Sequence, residues 1–238
     1  MTSTKQKRLL LFSVLFLLLA IAAGCIYAFG YYLPKRQEEE RLQQQIREYY
    51  ESKLSLYESE NERYADYEID VAFLGDSLTD GYDLAAYFPQ YTVANRGIGG
   101  ETTHGLEERM QVSLYDLKPK VAVILIGGNN LRTMFDNYER MLAAVRASVP
   151  DTEIILCSVT SMGGRFAGKN PIAALNSARI KKLAEKYGCI YVDLYTPLLD
   201  EQTGEIYADC TTDGAHLTPK GYEILTNAIT PAIQTILD

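Results

Sequence analysis

A serine, a histidine and an aspartate in this sequence are placed where they could perform nucleophilic catalysis together. Ser77 follows an apolar run at 71–74 that predicts a buried strand, and Gly75 lets the chain turn sharply after it. A hydroxyl just past the carboxyl end of a parallel strand lies where open α/β sheets build their sites. On this stretch alone, a simple helix cap explains Asp76 and Ser77 at least as well.

The partners that such a serine needs occur in three later segments. His216 could act as its base, and Asp213, three residues earlier, could hold the imidazole. Gly100 offers a backbone N–H that a ligand can approach closely, and Asn129 offers a side-chain amide for a developing oxyanion. Because the carboxyl ends of neighbouring parallel strands lie side by side, we expect these segments to converge.

Alternating apolar and helical segments predict the scaffold that would position them. Candidate strands are 69–74, 91–94, 121–126, 153–157 and 189–192, and candidate helices are a short one after Ser77, 103–116, 130–147, 171–187 and 218–237. Apolar strand runs alternating with helices indicate a parallel sheet covered by helices on both faces.

The amino-terminal segment has the pattern of a membrane anchor. Residues 1–8 form a basic tail, and 9–29 carry no charge. A helix over 9–29 spans roughly 31 Å, close to the hydrocarbon thickness of a bilayer. The basic start predicts a single-pass protein of the cell membrane, with a cytoplasmic amino terminus and an extracytoplasmic catalytic domain. A cleaved signal peptide, or a lipoprotein box at 22–25, remains the alternative.

A polar segment, 30–67, separates this anchor from the predicted catalytic domain at 68–238. It contains an apolar stripe at helical spacing, formed by Leu42, Ile46, Tyr50, Leu54 and Tyr57. We expect a helical stalk, which could alternatively pack on the catalytic domain. One helix over 35–67 would reach about 50 Å and hold the site far from the bilayer, which favours substrates outside the membrane.

Composition excludes several classes of function. The formal net charge of −8 argues against nucleic-acid binding, which needs a basic surface. The four cysteines form no CxxC pair and only two histidines are present, so a zinc site is not expected. Cys189 and Cys210 could form a disulfide or remain free thiols. The oligomeric state cannot be read from the sequence.

Four short motifs, in this order, resemble the conserved blocks of the GDSL or SGNH hydrolase family. They are GDSL at 75–78, NRGIGGETT at 95–103, GGNN at 127–130 and DGAH at 213–216, and the resemblance covers 69–238. It implies a three-layer α/β/α, flavodoxin-like domain with a five-stranded parallel sheet. It also implies an ester substrate and no metal or organic cofactor.

The resemblance assigns a role to each matched residue. Ser77 is the nucleophile, His216 its base and Asp213 the partner of that base. The N–H groups of Ser77 and Gly100 and the side chain of Asn129 form the oxyanion hole. The third block often ends in Asp, where this chain has Asn130.

Three further residues could contact substrate, although packing or solvation explains them as well. They are His104, which opens a predicted helix, and Arg132 and Arg165, which follow strand ends. The stretch 97–102 lacks the third glycine of a dinucleotide fingerprint, and 163–169 is followed by Asn170 where a phosphate-binding loop needs Ser or Thr.

Taken together, these patterns predict a membrane-anchored extracytoplasmic serine esterase that removes short acyl groups, such as acetyl, from carbohydrate. The alternatives are a lysophospholipase-like lipid esterase, an acyltransferase with the same Ser-His-Asp site, and a non-catalytic binding module.

Overall fold

The computed structural model describes residues 3–238. Its α-helices are α1 (Thr4–Tyr27), α2 (Leu33–Asn61), α3 (Ser77–Asp80), α4 (Leu84–Tyr87), α5 (Thr103–Glu108), α6 (Tyr138–Ser148), α7 (Asn170–Tyr187) and α8 (Pro219–Leu237). Its strands are β1 (Val71–Gly75), β2 (Val93–Gly97), β3 (Val121–Leu125), β4 (Glu153–Cys157), β5 (Ile190–Val192), β6 (Leu199–Asp200) and β7 (Glu205–Ile206). The chain divides into two compact units, one ending at Ser52 and the other comprising Lys53–Asp238.

The first unit is helical from Thr4 onwards. A capping box between Ser3 and Gln6 starts α1, which has no buried residue, and a π-helical turn at Ala28–Tyr32 leads into α2. By length and composition this helix could cross a membrane, and a signal sequence near an amino terminus would pass the same test. Membrane insertion therefore stays a prediction.

The second unit begins inside α2. This helix ends at Asn61, whereas the predicted helical stalk extends to residue 67. The last turns of α2 carry Tyr57, which is buried and donates a 2.6 Å hydrogen bond from its hydroxyl to the Gly97 carbonyl. Glu60 pairs with the buried Arg96, which also donates to the Asn61 side chain at 3.0 Å. The stretch from Lys53 to Asn61 therefore packs as part of the second unit.

The sheet confirms the predicted fold class. Five parallel strands lie in the order β2-β1-β3-β4-β5, with Val71 opposite Val93 on one side and Val121 on the other. The five predicted strands all form, with ends shifted by up to three residues. This order reverses direction between β1 and β3, which is the position where doubly wound sheets bind ligands.

Alternate strand residues supply the two cores, because successive side chains point to opposite faces of a sheet. Ala72 and Leu74 belong to the core that also contains α5, α6 and α7. Val71 and Phe73 belong to the other core, against α4 and α8. Burial on both faces explains the continuous apolar runs and gives a three-layer α/β/α domain.

Two predicted helices differ from the observed ones. The helix predicted at 130–147 begins only at Tyr138, because Asn130 and Asn137 hydrogen-bond to Thr103 across the gap. The helix predicted at 103–116 is divided into α5 and a π-helical turn, Gln111–Tyr115, with the buried Arg109 between them.

The cysteines remain unpaired in the described residues 3–238. Cys157 and Cys210 are buried thiols, Cys189 is half-buried and Cys25 is exposed. Of the two possibilities that the sequence left open for Cys189 and Cys210, the structure shows free thiols.

Candidate active site

Ser77 lies at the turn between β1 and α3, and crowding fixes the shape of that turn. A Cβ on Gly75 would overlap the Thr79 side chain and the Leu125 carbonyl, so only glycine fits. The Asp76 carboxylate then caps α3 by accepting a 3.0 Å hydrogen bond from the Leu78 N–H. The hydroxyl of Ser77 is thereby presented beyond the carboxyl end of β1.

His216 and Asp213 reach Ser77 from the loop before α8. His216 Nε2 lies 3.1 Å from Ser77 Oγ, and His216 Nδ1 lies 2.9 Å from Asp213 Oδ2. With its proton on Nδ1, the imidazole donates to the carboxylate and its Nε2 accepts from the serine hydroxyl. The predicted serine, histidine and aspartate are therefore brought together.

Backbone groups fix the Asp213 carboxylate in place. Its Oδ1 accepts from the N–H of His216 at 2.8 Å and from that of Ala215 at 2.9 Å. The His216 N–H, then its imidazole and the Ala215 N–H hold the pKa of Asp213 well below its usual range. Asp213 is therefore an anion at any pH where His216 could act as a base.

Asp76 is a second carboxyl beside the serine, and its pKa shifts in the opposite direction to that of Asp213. It is only 5% exposed, and burial raises the pKa of Asp76 to about 6, although the Leu78 N–H and nearby His216 oppose the shift. The sequence indicated only a cap here. The pKa values of the two carboxyls thus shift in opposite directions, because Asp76 is buried and Asp213 is surrounded by N–H donors.

Asn129 approaches the same point from the turn after β3. Its side-chain NH₂ donates one hydrogen to the Glu101 carbonyl at 2.9 Å, which leaves the second hydrogen available to a ligand. Gly100 precedes Glu101 in the turn after β2, with φ of +78°, a left-handed conformation suited to glycine. Asn130 holds this turn as well, because its side chain exchanges hydrogen bonds with Thr103.

Arg109 joins the segments on this side, and sequence reasoning missed it. Its guanidinium donates to Glu101 Oε2 at 3.1 Å, to the Gly75 carbonyl at 2.9 Å and to the Arg96 carbonyl at 2.9 Å. It also donates to Ser113 at 2.8 Å. A polar residue in a predicted helix normally indicates a solvated face, and only the spatial neighbours of Arg109 distinguish it.

We refer to Ser77, Asp213 and His216 as the serine–histidine side, and to Gly100, Glu101, Arg109 and Asn129 as the amide side. Ser77, Asn129 and His216 line one cavity of about 100 Å³. Apolar side chains of Met162 and Phe166 form part of its wall. The two sides thus meet at a small cavity with a hydroxyl, a base and an amide.

The three possible substrate contacts lie at different places. Arg132 lines a second cavity of about 340 Å³, which shares Asn129 with the first. Arg165 stacks 4.6 Å from the ring centre of Phe166, which lines the first cavity. His104 is exposed in the first turn of α5 and is not among the residues lining the cavity beside Ser77.

Metal ligands are not clustered in the part of the chain that the structure describes. Residues 3–238 contain no group of three or more His, Cys, Asp or Glu side chains that could hold a metal ion. What the cavity can do is transfer an acyl group, because it contains a serine, a base and hydrogen-bond donors.

Comparison with known proteins defines the class of this site. The model of the GDSL-like Lipase/Acylhydrolase family matches residues 73–224. The chain belongs to this family, and it is an ester hydrolase by class.

Individual relatives agree with this assignment. The chain is 28% identical over 188 residues to platelet-activating factor acetylhydrolase IB subunit alpha2 from Homo sapiens, covering 73% of this chain and 80% of the relative. It is similar to a Streptococcus pneumonia structure provisionally described as a platelet activating factor, with TM-score 0.74, 25% identity, and 83% and 99% coverage of the two chains. A GDSL-like lipase from Bacteroides thetaiotaomicron gives TM-score 0.68 at 26% identity, covering 77% and 98%.

Proposed function

We propose that this protein is a membrane-anchored extracytoplasmic serine esterase that removes short acyl groups, chiefly acetyl, from carbohydrate. Ser77 attacks the ester carbonyl while His216 Nε2 takes the hydroxyl proton, a transfer supported by their 3.1 Å separation. His216 then protonates the departing alcohol. Water, deprotonated by the same imidazole, releases the acid from Ser77 and restores the free hydroxyl.

The amide side stabilises the charge that develops on the carbonyl oxygen. The Ser77 and Gly100 N–H groups and the free hydrogen of the Asn129 amide donate to this oxyanion. Because Glu101 fixes the Asn129 amide before substrate arrives, little reorganisation accompanies the reaction, and such preorganised donors lower the barrier most effectively.

The small size of the cavity beside Ser77 is the main support for a short acyl group. The space beside Ser77 is about 100 Å³, less than a third of the 340 Å³ cavity that adjoins it. An acetyl group suits the smaller space and the alcohol the larger one. The human relative is named an acetylhydrolase, which supports acetyl as the acyl group. The side chain of His216 is 54% exposed, so water can reach an acylated Ser77.

A carbohydrate substrate fits the proposed location outside the membrane. The charge-free run at 9–29 and the basic residues before it favour an uncleaved anchor with the catalytic unit outside. Protease added to intact cells should then release the catalytic unit, whereas complete protection would contradict this orientation.

The acyl preference can be measured directly on full-length protein in detergent. We expect kcat/KM for p-nitrophenyl esters to be highest from acetyl to butyryl, with every ester kept below its own micelle concentration. Ser77→Ala should abolish turnover and labelling by a fluorophosphonate, with Ser148→Ala as the surface control. A maximum at octanoyl or longer would favour the lysophospholipase-like alternative instead.

A further inference from the structure

A second cavity, of about 340 Å³, opens beside the proposed oxyanion site and has a cationic wall. Arg132 and Lys169 both line it, as does Asn129. Gly128, Asn129 and Lys169 also line the smaller cavity at Ser77, so the two cavities adjoin at these residues. A substrate held at Ser77 can therefore extend into this second cavity.

The two cavities differ in their acidic lining, although Lys169 lines both. No Asp or Glu lines the larger cavity, whereas the buried carboxyl of Asp76 lines the smaller one. Across residues 3–238, the acids form no ion pair with Arg132 or Lys169, although the whole chain carries a net charge of −8. Two cations without acidic partners in an acidic protein concentrate anions locally.

The backbone that carries Lys169 is held in place. Lys169 ends the 3₁₀-helix Gly164–Lys169, and its Nζ lies 5.0 Å from the ring centre of Phe166. The next residue, the buried Asn170, accepts from the Met162 N–H at 2.8 Å and donates to the Met162 carbonyl at 2.8 Å. The cation is thus presented to the cavity by a fixed turn.

We infer that the larger cavity binds an anionic group on the alcohol part of the substrate, so that the natural esters are acylated acidic saccharides carrying a carboxylate or a phosphate. This inference rests on the proposed function. Arg132 and Lys169 contact the anion from the two walls, while the uncharged acyl group occupies the smaller cavity beside Asp76. The two cations select the substrate and take no part in proton transfer.

The test compares esters that differ only in the charge of the alcohol. Full-length protein in detergent is assayed with 4-acetoxybenzamide, which is neutral, and with 4-acetoxybenzoate and 4-acetoxyphenyl phosphate, which are anionic. The readout is the ratio of kcat/KM for each anionic ester to that for the neutral ester. Dividing the ratio of a variant by that of the wild type cancels the intrinsic reactivity of the esters.

We expect the double variant Arg132→Gln/Lys169→Gln to lower this ratio about 2- to 30-fold, since partly exposed charge pairs contribute roughly 0.2–1 kcal/mol each. Added salt should lower the wild-type ratio towards that of the variant. The control Lys181→Gln/Lys182→Gln removes two charges from exposed positions further along α7 and should leave the ratio unchanged.

Which anionic ester responds more strongly distinguishes a carboxylate-bearing from a phosphate-bearing saccharide, and either response supports the inference. Equal ratios in the double variant, the control and the wild type would overturn it while leaving the esterase proposal intact. Absence of Ser77-dependent turnover with all three esters would overturn both.

Discussion

The serine–histidine side and the amide side of the site are built in different ways. The side chains of His216 and Asp213 are 54% and 34% exposed, and they belong to one turn of the chain. Those of Glu101 and Arg109 are 8% and 1% exposed. They connect segments that are far apart in sequence, since Arg109 bonds the Gly75 carbonyl 34 positions away.

This difference indicates where activity and stability separate. An exposed hydrogen bond contributes little to folding, because water replaces it when the chain unfolds. A buried ion pair that loses one partner leaves an uncompensated charge, which is strongly destabilising. Changes on the serine–histidine side should therefore affect turnover alone, and changes on the amide side should affect both.

Asp213→Asn tests the serine–histidine side and should have the largest effect. An amide beside Nδ1 favours the imidazole tautomer with its proton on Nε2, which cannot accept the serine proton. We expect kcat for p-nitrophenyl acetate to fall about 10⁴-fold, the loss seen for this change in a serine protease. The unfolding midpoint should stay close to that of the wild type. Asp209→Asn, an exposed carboxyl that pairs with Lys220, is the control. Retention of a tenth of the activity would contradict the role of Asp213.

Arg109→Gln tests the amide side through stability. It leaves the Glu101 carboxylate buried without its cation, so we expect a loss of about 3–5 kcal/mol in the free energy of unfolding. Arg140→Gln breaks an exposed pair with Glu107, where Arg140 is 65% exposed, and should cost at most about 1 kcal/mol. Urea denaturation measures both. Similar losses in the two variants would remove the distinction between the sides.

Asn129→Ala should reduce turnover next most strongly. It deletes one donor to the oxyanion, which costs about 10²–10³-fold in kcat, with KM little changed because the interaction forms in the transition state. Asn130→Ala is a matched neighbour that loses its hydrogen bonds to Thr103 but none to the oxyanion. If Asn130→Ala proved the slower enzyme, Asn129 would not be the donor that matters.

Asp76→Asn should have the smallest effect of these substitutions, and it should stabilise the protein. Burial raises the pKa of Asp76 from 3.8 to about 6, so the folded state binds a proton more tightly than the unfolded chain. Stability therefore falls as pH rises from about 4 to 6, and the cost remains at higher pH.

An amide at this position removes that cost. We expect Asp76→Asn to gain about 2–3 kcal/mol in the free energy of unfolding at pH 7.5 and nothing at pH 4, measured with urea. Asp209→Asn should show no gain at pH 7.5, because Lys220 lowers the pKa of Asp209. An Asp76→Asn variant that is less stable at pH 7.5 would show that its charge is compensated in the fold.

The sequence predicts the sheet and the serine–histidine side well, for physical reasons. Strands buried on both faces are continuous apolar runs, and such runs are visible without a structure. Asp213 and His216 are close in sequence, so their spacing alone allows them to meet. The fold class and the family are confirmed, while the roles of individual site residues remain proposals.

The amide side could be predicted only in part. Asn129 and Gly100 stand out because they follow strands, but Arg109 and Glu101 act through contacts that depend on how β1, β2 and α5 come together. The late start of α6 has the same origin, since Asn130 and Asn137 bond to Thr103. Local patterns do not contain such long-range contacts.

The end of α2 places a limit on how the length of this chain can vary in evolution. Each residue inserted into a helix turns everything before it by about 100° and shifts it by 1.5 Å. Insertions or deletions among residues 33–52 leave Tyr57, Glu60 and Asn61 in register with Gly97 and Arg96. An insertion or deletion between Tyr57 and Asn61 would rotate the Tyr57 side chain away from the Gly97 carbonyl that accepts its hydrogen bond. Length variation among natural relatives should therefore stop before Tyr57.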